Sequence, residues 1–159
     1  MCGKFLLAGV LIAAVSGAAA PVSADGAQLI ITNVGVGQID PNGVVPAINS
    51  VSGAGVTNWD IPTPIALLSG GQNYMFTAAF QDFSYTGTCI VSAAFTQIQD
   101  GKKVKLRSVT FSGSCEAGKT YLVSNKTGVM PNSPGDVTLT VKVNYGSQTA
   151  TMKVPLDLQ

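Results

Sequence analysis

Residues 137–158 read VTLTVKVNYGSQTATMKVPLDL, and apolar and polar side chains alternate through most of this stretch. The apolar positions flank a central Gly146-Ser147 pair; they are Val137, Leu139, Val141 and Val143 before it, and Ala150, Met152, Val154 and Leu156 after it. Alternation with a period of two is typical of a β-strand that buries one face. The stretch therefore predicts two strands joined by a short turn.

A two-residue loop at Gly146-Ser147 determines how these strands pair. Residues whose numbers sum to 293 then lie opposite each other, so that Val143 faces Ala150 and Val137 faces Leu156. All the apolar pairs share one face of the hairpin. Glycine in the first loop position suits a type II′ turn, because that position needs a positive φ. A slip of one residue would break the match on both strands, so the pattern predicts the register as well as the hairpin.

The same test predicts a second hairpin around Asp100-Gly101. Its apolar faces consist of Cys89, Val91, Ala93 and Phe95 on the first strand, and of Val109, Phe111, Gly113 and Cys115 on the second. Pairing residues whose numbers sum to 204 sets Cys89 opposite Cys115. Directly opposed side chains are close enough for a disulfide after modest adjustment, and an even pair of cysteines in an exported domain favours one. The alternative is a pair of buried free thiols.

Shorter patterns complete the set of strands. Further strands are predicted at residues 28–34, 74–80 and 119–124, whereas Gly, Pro, Ser and Asn are concentrated in residues 35–71. Roughly seven or eight strands separated by short turns predict an all-β fold, an antiparallel β-sandwich that is immunoglobulin-like or jelly-roll-like. Trp59 precedes both cysteines, whereas in immunoglobulin domains the core Trp lies between them. The sequence pattern therefore assigns the chain to no known family.

Residues 1–24 have the order of a secretory signal peptide. Lys4 precedes an apolar run at residues 5–15, and small residues follow, ending in Val22-Ser23-Ala24. A membrane-spanning helix needs about 20 apolar residues, so this run is too short for one. We expect cleavage before Asp25, no membrane span afterwards, and a secreted or periplasmic location. Residues 25–159 then form a single β-sandwich domain, loop-rich at 25–72 and with regular strands at 73–159.

The composition excludes several kinds of site. There is no histidine in the chain, which excludes Ser-His-Asp and Cys-His catalysis and every zinc site that uses histidine. The net charge is +1 for the whole chain and falls to about zero without Lys4, so nothing steers it toward nucleic acid or an anionic membrane. No phosphate-binding glycine motif is present. We therefore expect no cofactor, no metal and no catalytic residues.

Lys102, Lys103, Lys105 and Arg107 form the one cluster of charge, close to the tip of the second hairpin. The alternate positions of Lys103, Lys105 and Arg107 predict that these side chains share a face. One interpretation is a solvated tip whose charges discourage edge-to-edge aggregation. The other is contact with an acidic partner or a polysaccharide.

These features favour a secreted, non-enzymatic binding or structural β-domain, adhesin-like or a subunit of an extracellular assembly. Its expected partner is an extracellular protein or polysaccharide. The alternative is a small extracellular hydrolase that uses the loop carboxylates Asp40, Asp60 and Asp82. A calcium ion held by Asp40 and Asn42 is a further hypothesis, although the complete calcium-loop motif is absent.

Overall fold

The computed structural model describes residues 29–52, 58–60 and 64–159, and these residues form two β-sheets. The predicted signal peptide, residues 1–24, lies outside the described residues. In chain order the strands are β1 (Leu29–Gln38), β2 (Asn49–Ser52), β3 (Asn58–Asp60), β4 (Leu67–Leu68), β5 (Asn73–Asp82), β6 (Gly87–Gln99), β7 (Lys102–Cys115), β8 (Thr120–Val129), β9 (Gly135–Tyr145) and β10 (Gln148–Leu158). Among the described residues no helix has the length and hydropathy needed to cross a membrane.

The two sheets form a β-sandwich, which confirms the predicted fold class. One sheet has the strand order β2-β1-β5-β8, and the other has the order β3-β10-β9-β6-β7, with β4 also paired to β10. The long strands pair antiparallel, as predicted. The short strands β3 and β4 differ, because each pairs with β10 in parallel.

The inner faces of the two sheets make a single apolar core. Its largest fully buried side chains include Phe76 and Phe80 from one sheet and Phe95 and Leu139 from the other. Burying one such side chain contributes about 1.5–3 kcal/mol, so packing of these faces is the main term that stabilises the fold. We call the opposite face of the six-stranded sheet, which points away from this core, the outer face.

The β9–β10 hairpin has the predicted register. Val143 lies opposite Ala150, and Val137 lies opposite Leu156. The eight apolar side chains of the two strands are each at most 1% exposed. Gly146 has a φ of 60°, which is what the first position of a type II′ turn requires. The alternating pattern therefore predicted both the faces and the pairing.

The β6–β7 hairpin exists, but its predicted register is wrong by two residues. Asp100 and Gly101 both have positive φ, 50° and 72°, so the turn is of type I′ and Gln99 pairs with Lys102. A bulge then inserts Leu106 into β7, where the pairing shifts between Phe95 and Thr96. Beyond the bulge the numbers of paired residues sum to 202 and not 204. Because the error is an even number of residues, the predicted apolar faces are preserved.

The disulfide between Cys89 and Cys115 is present, as predicted, although the two residues are not direct partners. Cys89 lies opposite Gly113 and Cys115 lies opposite Gly87, so the bond joins diagonal neighbours. Their Cα atoms are 5.9 Å apart, within the usual range for a disulfide. A crosslink that encloses a loop of this length stabilises the fold by about 3 kcal/mol in the chain-entropy view.

β1 continues past the predicted end at residue 34, because two glycines let another segment cross it closely. A Cβ atom on Gly35 would lie 2.7 Å from Cγ2 of Ile48, and one on Gly37 would lie 2.5 Å from the carbonyl oxygen of Ala47. These glycines look like loop residues in the sequence. In the structure they are strand residues that leave room for the chain leading into β2.

The two faces of β9 predict opposite responses to the same substitution. Val141→Asp buries an unpaired carboxylate and should lower the free energy of unfolding by about 3 kcal/mol or more. Thr140→Asp places the same charge on the outer face opposite Lys153 and should change that free energy by less than about 1 kcal/mol. Urea denaturation of both variants measures the difference. Equal losses would show that the faces are assigned wrongly.

Candidate functional site

A polar cleft of about 480 Å³ opens at one end of the six-stranded sheet. It lies between the last residues of β6, the start of β7 and the loop that leads from β8 into β9. Its lining combines amides, hydroxyls and charged groups with a few apolar side chains: Thr96, Gln97, Ile98, Gln99, Lys103, Ser133, Pro134, Gly135, Asp136, Thr138 and Lys153.

One wall of the cleft is a closed network of three side chains. Gln99 donates from Nε2 to Oε1 of Gln97 at 2.7 Å and to Oγ of Ser133 at 2.7 Å. Ser133 Oγ donates to Oε1 of Gln97 at 3.0 Å, and Gln97 Nε2 donates to the carbonyl oxygen of Ser133 at 3.0 Å. A satisfied network of this kind is rigid. This network therefore connects the β8–β9 loop to the end of β6.

The backbone at Gly135 makes this contact possible. Gly135 has a φ of 137°, a conformation that residues with a side chain rarely adopt. A Cβ atom there would lie 2.8 Å from Nε2 of Gln97. Glycine thus lets the loop turn into β9 directly against the Gln97 amide.

The rest of the lining presents three kinds of chemical group. Thr96 and Thr138 lie opposite each other on the outer face, and Oγ1 of Thr96 donates to the carbonyl oxygen of Thr138 at 3.3 Å. Ile98 is 66% exposed, and its direct partner across the hairpin is Lys103. Hydroxyls and amides can exchange hydrogen bonds with a ligand, Ile98 offers apolar contact surface, and the ammonium of Lys103 attracts anions.

Three of the four predicted cationic residues lie together at the hairpin tip. Lys103 lines the cleft. Lys102 and Lys105 are exposed beside it, opposite Gln99 and Thr96 respectively. Of the predicted tip residues, Lys103 faces the cleft, and Lys102 and Lys105 lie opposite two other residues of its lining.

Arg107 does not belong to this group, and the prediction that it shares a face with Lys103 and Lys105 is wrong. The bulge at Leu106 reverses the alternation, so Arg107 lies opposite the buried Phe95. Its Nε donates to the carbonyl oxygen of Val129 at 2.6 Å, and Nη1 donates to that of Leu106 at 2.9 Å. Arg107 therefore links β7 of the six-stranded sheet to β8 of the four-stranded sheet.

Two of the three candidate loop carboxylates shape turns. Oδ1 of Asp40 accepts hydrogen bonds from the backbone N–H groups of Asn42 and Val44, at 2.9 and 2.8 Å. Oδ1 of Asp82 accepts from those of Ser84 and Tyr85, at 2.7 and 2.9 Å. An Asp that accepts from the residues following it is a common way to form a turn. The calcium proposed at Asp40 would have to compete with these bonds.

Asp40 and Asp82 also lie at opposite ends of the four-stranded sheet. Asp82 pairs with Leu29 at the start of β1, whereas Asp40 follows the end of that strand. Ten residues of strand span about 33 Å, far beyond the roughly 5–9.5 Å that separates the two carboxylates of a glycosidase. Asp60 lies in the other sheet, opposite Lys153. Within the described ranges no three His, Cys, Asp or Glu residues are grouped so that they could hold a metal ion.

The opposite end of the sandwich holds a buried pair of polar side chains. Asp82 and Tyr145 are each 1% exposed, and the ring of Tyr145 packs edge-on against that of Tyr85 with the centroids 5.3 Å apart. Burial raises the pKa of Tyr145 to about 12. The phenol therefore stays neutral at physiological pH and acts as part of the core.

Sequence reasoning missed most of the cleft, because its residues come from separate segments. Gln97, Ser133 and Lys153 belong to β6, the β8–β9 loop and β10. One signal was available in the sequence. Gln97 continues the inward row of β6, which is otherwise apolar from Cys89 onwards, and a buried amide in such a row needs polar partners.

Comparison with known proteins finds solved structures that are similar to this chain, but it does not identify a family. No family model matches the chain, and no curated protein sequence matches it. The C-terminal domain of wzt is 15% identical with a TM-score of 0.49, over 83% of this chain and 74% of that domain. A family 123 glycoside hydrolase from Clostridium perfringens is 11% identical with a TM-score of 0.45, and a β-glucosidase from Listeria innocua in complex with glucose is 12% identical with a TM-score of 0.42.

Each hydrolase match covers 58% of this chain, which spans only 22% of the Clostridium protein and 14% of the Listeria protein. These comparisons assign neither a family nor an activity to the chain.

The different positions of Arg107 and Lys105 predict different effects on stability. Arg107→Met keeps an unbranched stem but removes both bonds to carbonyl oxygens, and should lower the free energy of unfolding by about 1–2 kcal/mol. Lys105→Met removes an exposed charge and should change it by no more than about 0.5 kcal/mol. Thermal or urea unfolding measures both variants. A loss for Lys105→Met as large as that for Arg107→Met would contradict the assigned roles.

Proposed function

We propose that this protein is a secreted or periplasmic, non-enzymatic domain that binds an acidic polysaccharide in the cleft beside the β6–β7 hairpin. The observation that carries the proposal is the pre-formed polar cleft with Lys103 in its lining and Lys102 and Lys105 beside it. A rigid site loses little conformational entropy when a ligand binds, so a few hydrogen bonds and charge contacts suffice.

The disulfide supports the proposed compartment. Cys89 and Cys115 are bonded, and such bonds persist in oxidising compartments and are rare in the cytosol. The sequence of residues 1–24 favours export for an independent reason, namely its order of charged, apolar and small residues.

The chemistry of the lining favours a sugar polymer as the ligand. Sugars present hydroxyls, which suit the amide and hydroxyl groups of Gln97, Gln99 and Ser133, and apolar C–H surfaces, which suit the exposed Ile98. The lysines would pair with carboxylates on such a chain. Consecutive outward positions on a strand lie about 6.7 Å apart, so Lys103 and Lys105 can contact neighbouring parts of one extended polymer along the outer face.

The acidic groups near the cleft favour binding over hydrolysis. Asp136 is the carboxylate in the lining. Its cross-strand partner Asp157 lies outside that lining. Hydrolysis of a glycosidic bond normally uses a pair of carboxylates that flank the bond. Asp136 is the one carboxylate in the described lining, so the lining by itself does not contain such a pair.

Calorimetric titration with polygalacturonate, a uronate polymer, tests this function against neutral dextran. We expect binding to polygalacturonate that weakens as salt concentration rises, since it depends on exposed charges. The double variant Lys103→Ala with Lys105→Ala should weaken binding about tenfold, because each exposed ion pair is worth up to about 1 kcal/mol. The matched control is Lys119→Ala with Lys126→Ala, which removes the same charge at exposed positions outside the lining of the cleft.

Equal affinity for dextran and polygalacturonate would contradict acidic specificity. Equal loss of affinity in the cleft variant and the control would contradict the location of the site. Release of new reducing ends from the polymer would show that the domain is an enzyme and would overturn the proposed function itself.

A further inference from the structure

β7 is the outermost strand of its sheet in the part of the chain that the structure describes, because it pairs with β6 on one side only. It is 14 residues long. In an antiparallel edge strand, every second residue directs its N–H and C=O away from the sheet, where another strand can pair with them. Val109 and Phe111 pack against the core yet remain only partly buried. The side chains of Val109 and Phe111 are therefore partly accessible to solvent at the edge of the sheet.

The features that block edge pairing are confined to the first half of β7. Lys102, Lys103, Lys105 and Arg107 all lie there, together with the bulge at Leu106. Residues 108–115 contain no charged residue and no proline, and their pairing with β6 has no bulge. Charges, prolines and bulges are the usual protection of an edge strand. The second half of β7 has none of these.

The sequence of that second half is complementary to itself when two copies run antiparallel. If Phe111 faces Phe111 of a second copy, residues whose numbers sum to 222 lie opposite each other. Thr110 then faces Ser112, and Ser108 faces Ser114, on the outer face of both copies. Cross-strand hydroxyl pairs and aromatic pairs of this kind stabilise a sheet.

Charge selects this orientation over a parallel one. In the antiparallel register the charged half of each β7 extends beyond Cys115 of the other copy, so no lysine of one β7 faces a lysine of the other β7. A parallel pairing would place the same lysines side by side, which is destabilising. We propose that two copies of this chain pair through residues 108–114 of β7 and form a two-fold symmetric dimer with one continuous sheet.

Phe111 contributes to the pairing in a second way. A Cβ atom on Gly113 would lie 3.0 Å from Cζ of Phe111, so the ring lies along its own strand and covers that glycine. In the dimer the two Phe111 residues would lie opposite each other at the two-fold axis, and each ring would cover the glycine of its own strand. A pairing of seven residues from each copy makes a small interface, so we expect the dimer to form at high protein concentration.

The dimer and the proposed glycan site are independent, and the test of the dimer needs no ligand. Sedimentation velocity of the oxidised, purified protein is measured from about 10 µM to about 1 mM, where weak complexes associate. We expect the sedimentation coefficient to rise from the value of a monomer toward that of a dimer. The variant Thr110→Lys with Ser112→Lys should stay monomeric throughout, because the new lysines of the two copies face each other.

A matched control adds the same charge away from the edge. Ser147→Lys with Thr149→Lys lies at exposed positions in the β9–β10 turn and near the start of β10 and should associate like the unchanged protein. Thr110 and Ser112 are exposed as well, so circular dichroism should show that both variants are folded. Monomeric behaviour of the unchanged protein at every concentration, or association of the Thr110→Lys, Ser112→Lys variant, would overturn the proposal.

A cysteine crosslink tests the register. Phe111→Cys places two thiols directly opposite each other across the two-fold axis, and mild oxidation with copper phenanthroline should join the two copies. Val109→Cys faces Gly113 of the other copy and should crosslink at least tenfold less under the same conditions, because opposed Cβ atoms are close and displaced ones are not. Mass spectrometry after proteolysis identifies the bond. Crosslinking of both variants to the same extent would overturn the proposed register.

Discussion

The pairing of β9 with its two neighbours is the constraint on which the rest of the structure depends. Val141 lies opposite Met152 of β10 on one side and opposite Ala93 of β6 on the other, and all three side chains are buried. A slip of one residue in either ladder would turn an apolar row toward water. The ladder between β6 and β9 ends at Gln97 and Val137, near the start of β9, where the β8–β9 loop ends. The same register that fills the core therefore brings Gln97 to Ser133.

The sequence predicts the features that follow from the alternation of apolar and polar residues. It does not predict the register where a single inserted residue interrupts that alternation. The β9–β10 register, the inward faces of β6 and β7 and the disulfide follow from a period of two. The β6–β7 register does not, because the bulge at Leu106 leaves no mark in the composition of β7. The same bulge turns Arg107 toward the other sheet. The cleft is also unpredictable from local pattern, since Gln97, Ser133 and Lys153 are distant in the chain.

The bulge at Leu106 also divides β7 into two surfaces of different chemistry. Before it, lysines lie at the hairpin tip beside the cleft, and charges of this kind disfavour pairing with another strand. After it, residues 108–114 offer an uncharged edge with hydroxyls on the outer face. In an antiparallel dimer the two tips would point in opposite directions along one sheet. A long acidic polymer could then contact two clefts at once, which raises overall affinity without any new contact.

We propose that the cleft formed by the β6–β9 register at the end of the six-stranded sheet binds an acidic glycan. A titration of ¹⁵N-labelled protein with a galacturonate oligosaccharide, followed by two-dimensional NMR, tests it most directly. We expect the backbone signals of Lys103 and the side-chain amide signals of Gln97 and Gln99 to shift together, while the signals of Tyr85 and Gln148 at the opposite end stay unchanged. Shifts at Tyr85 and Gln148 with none at Gln97 and Gln99 would contradict it.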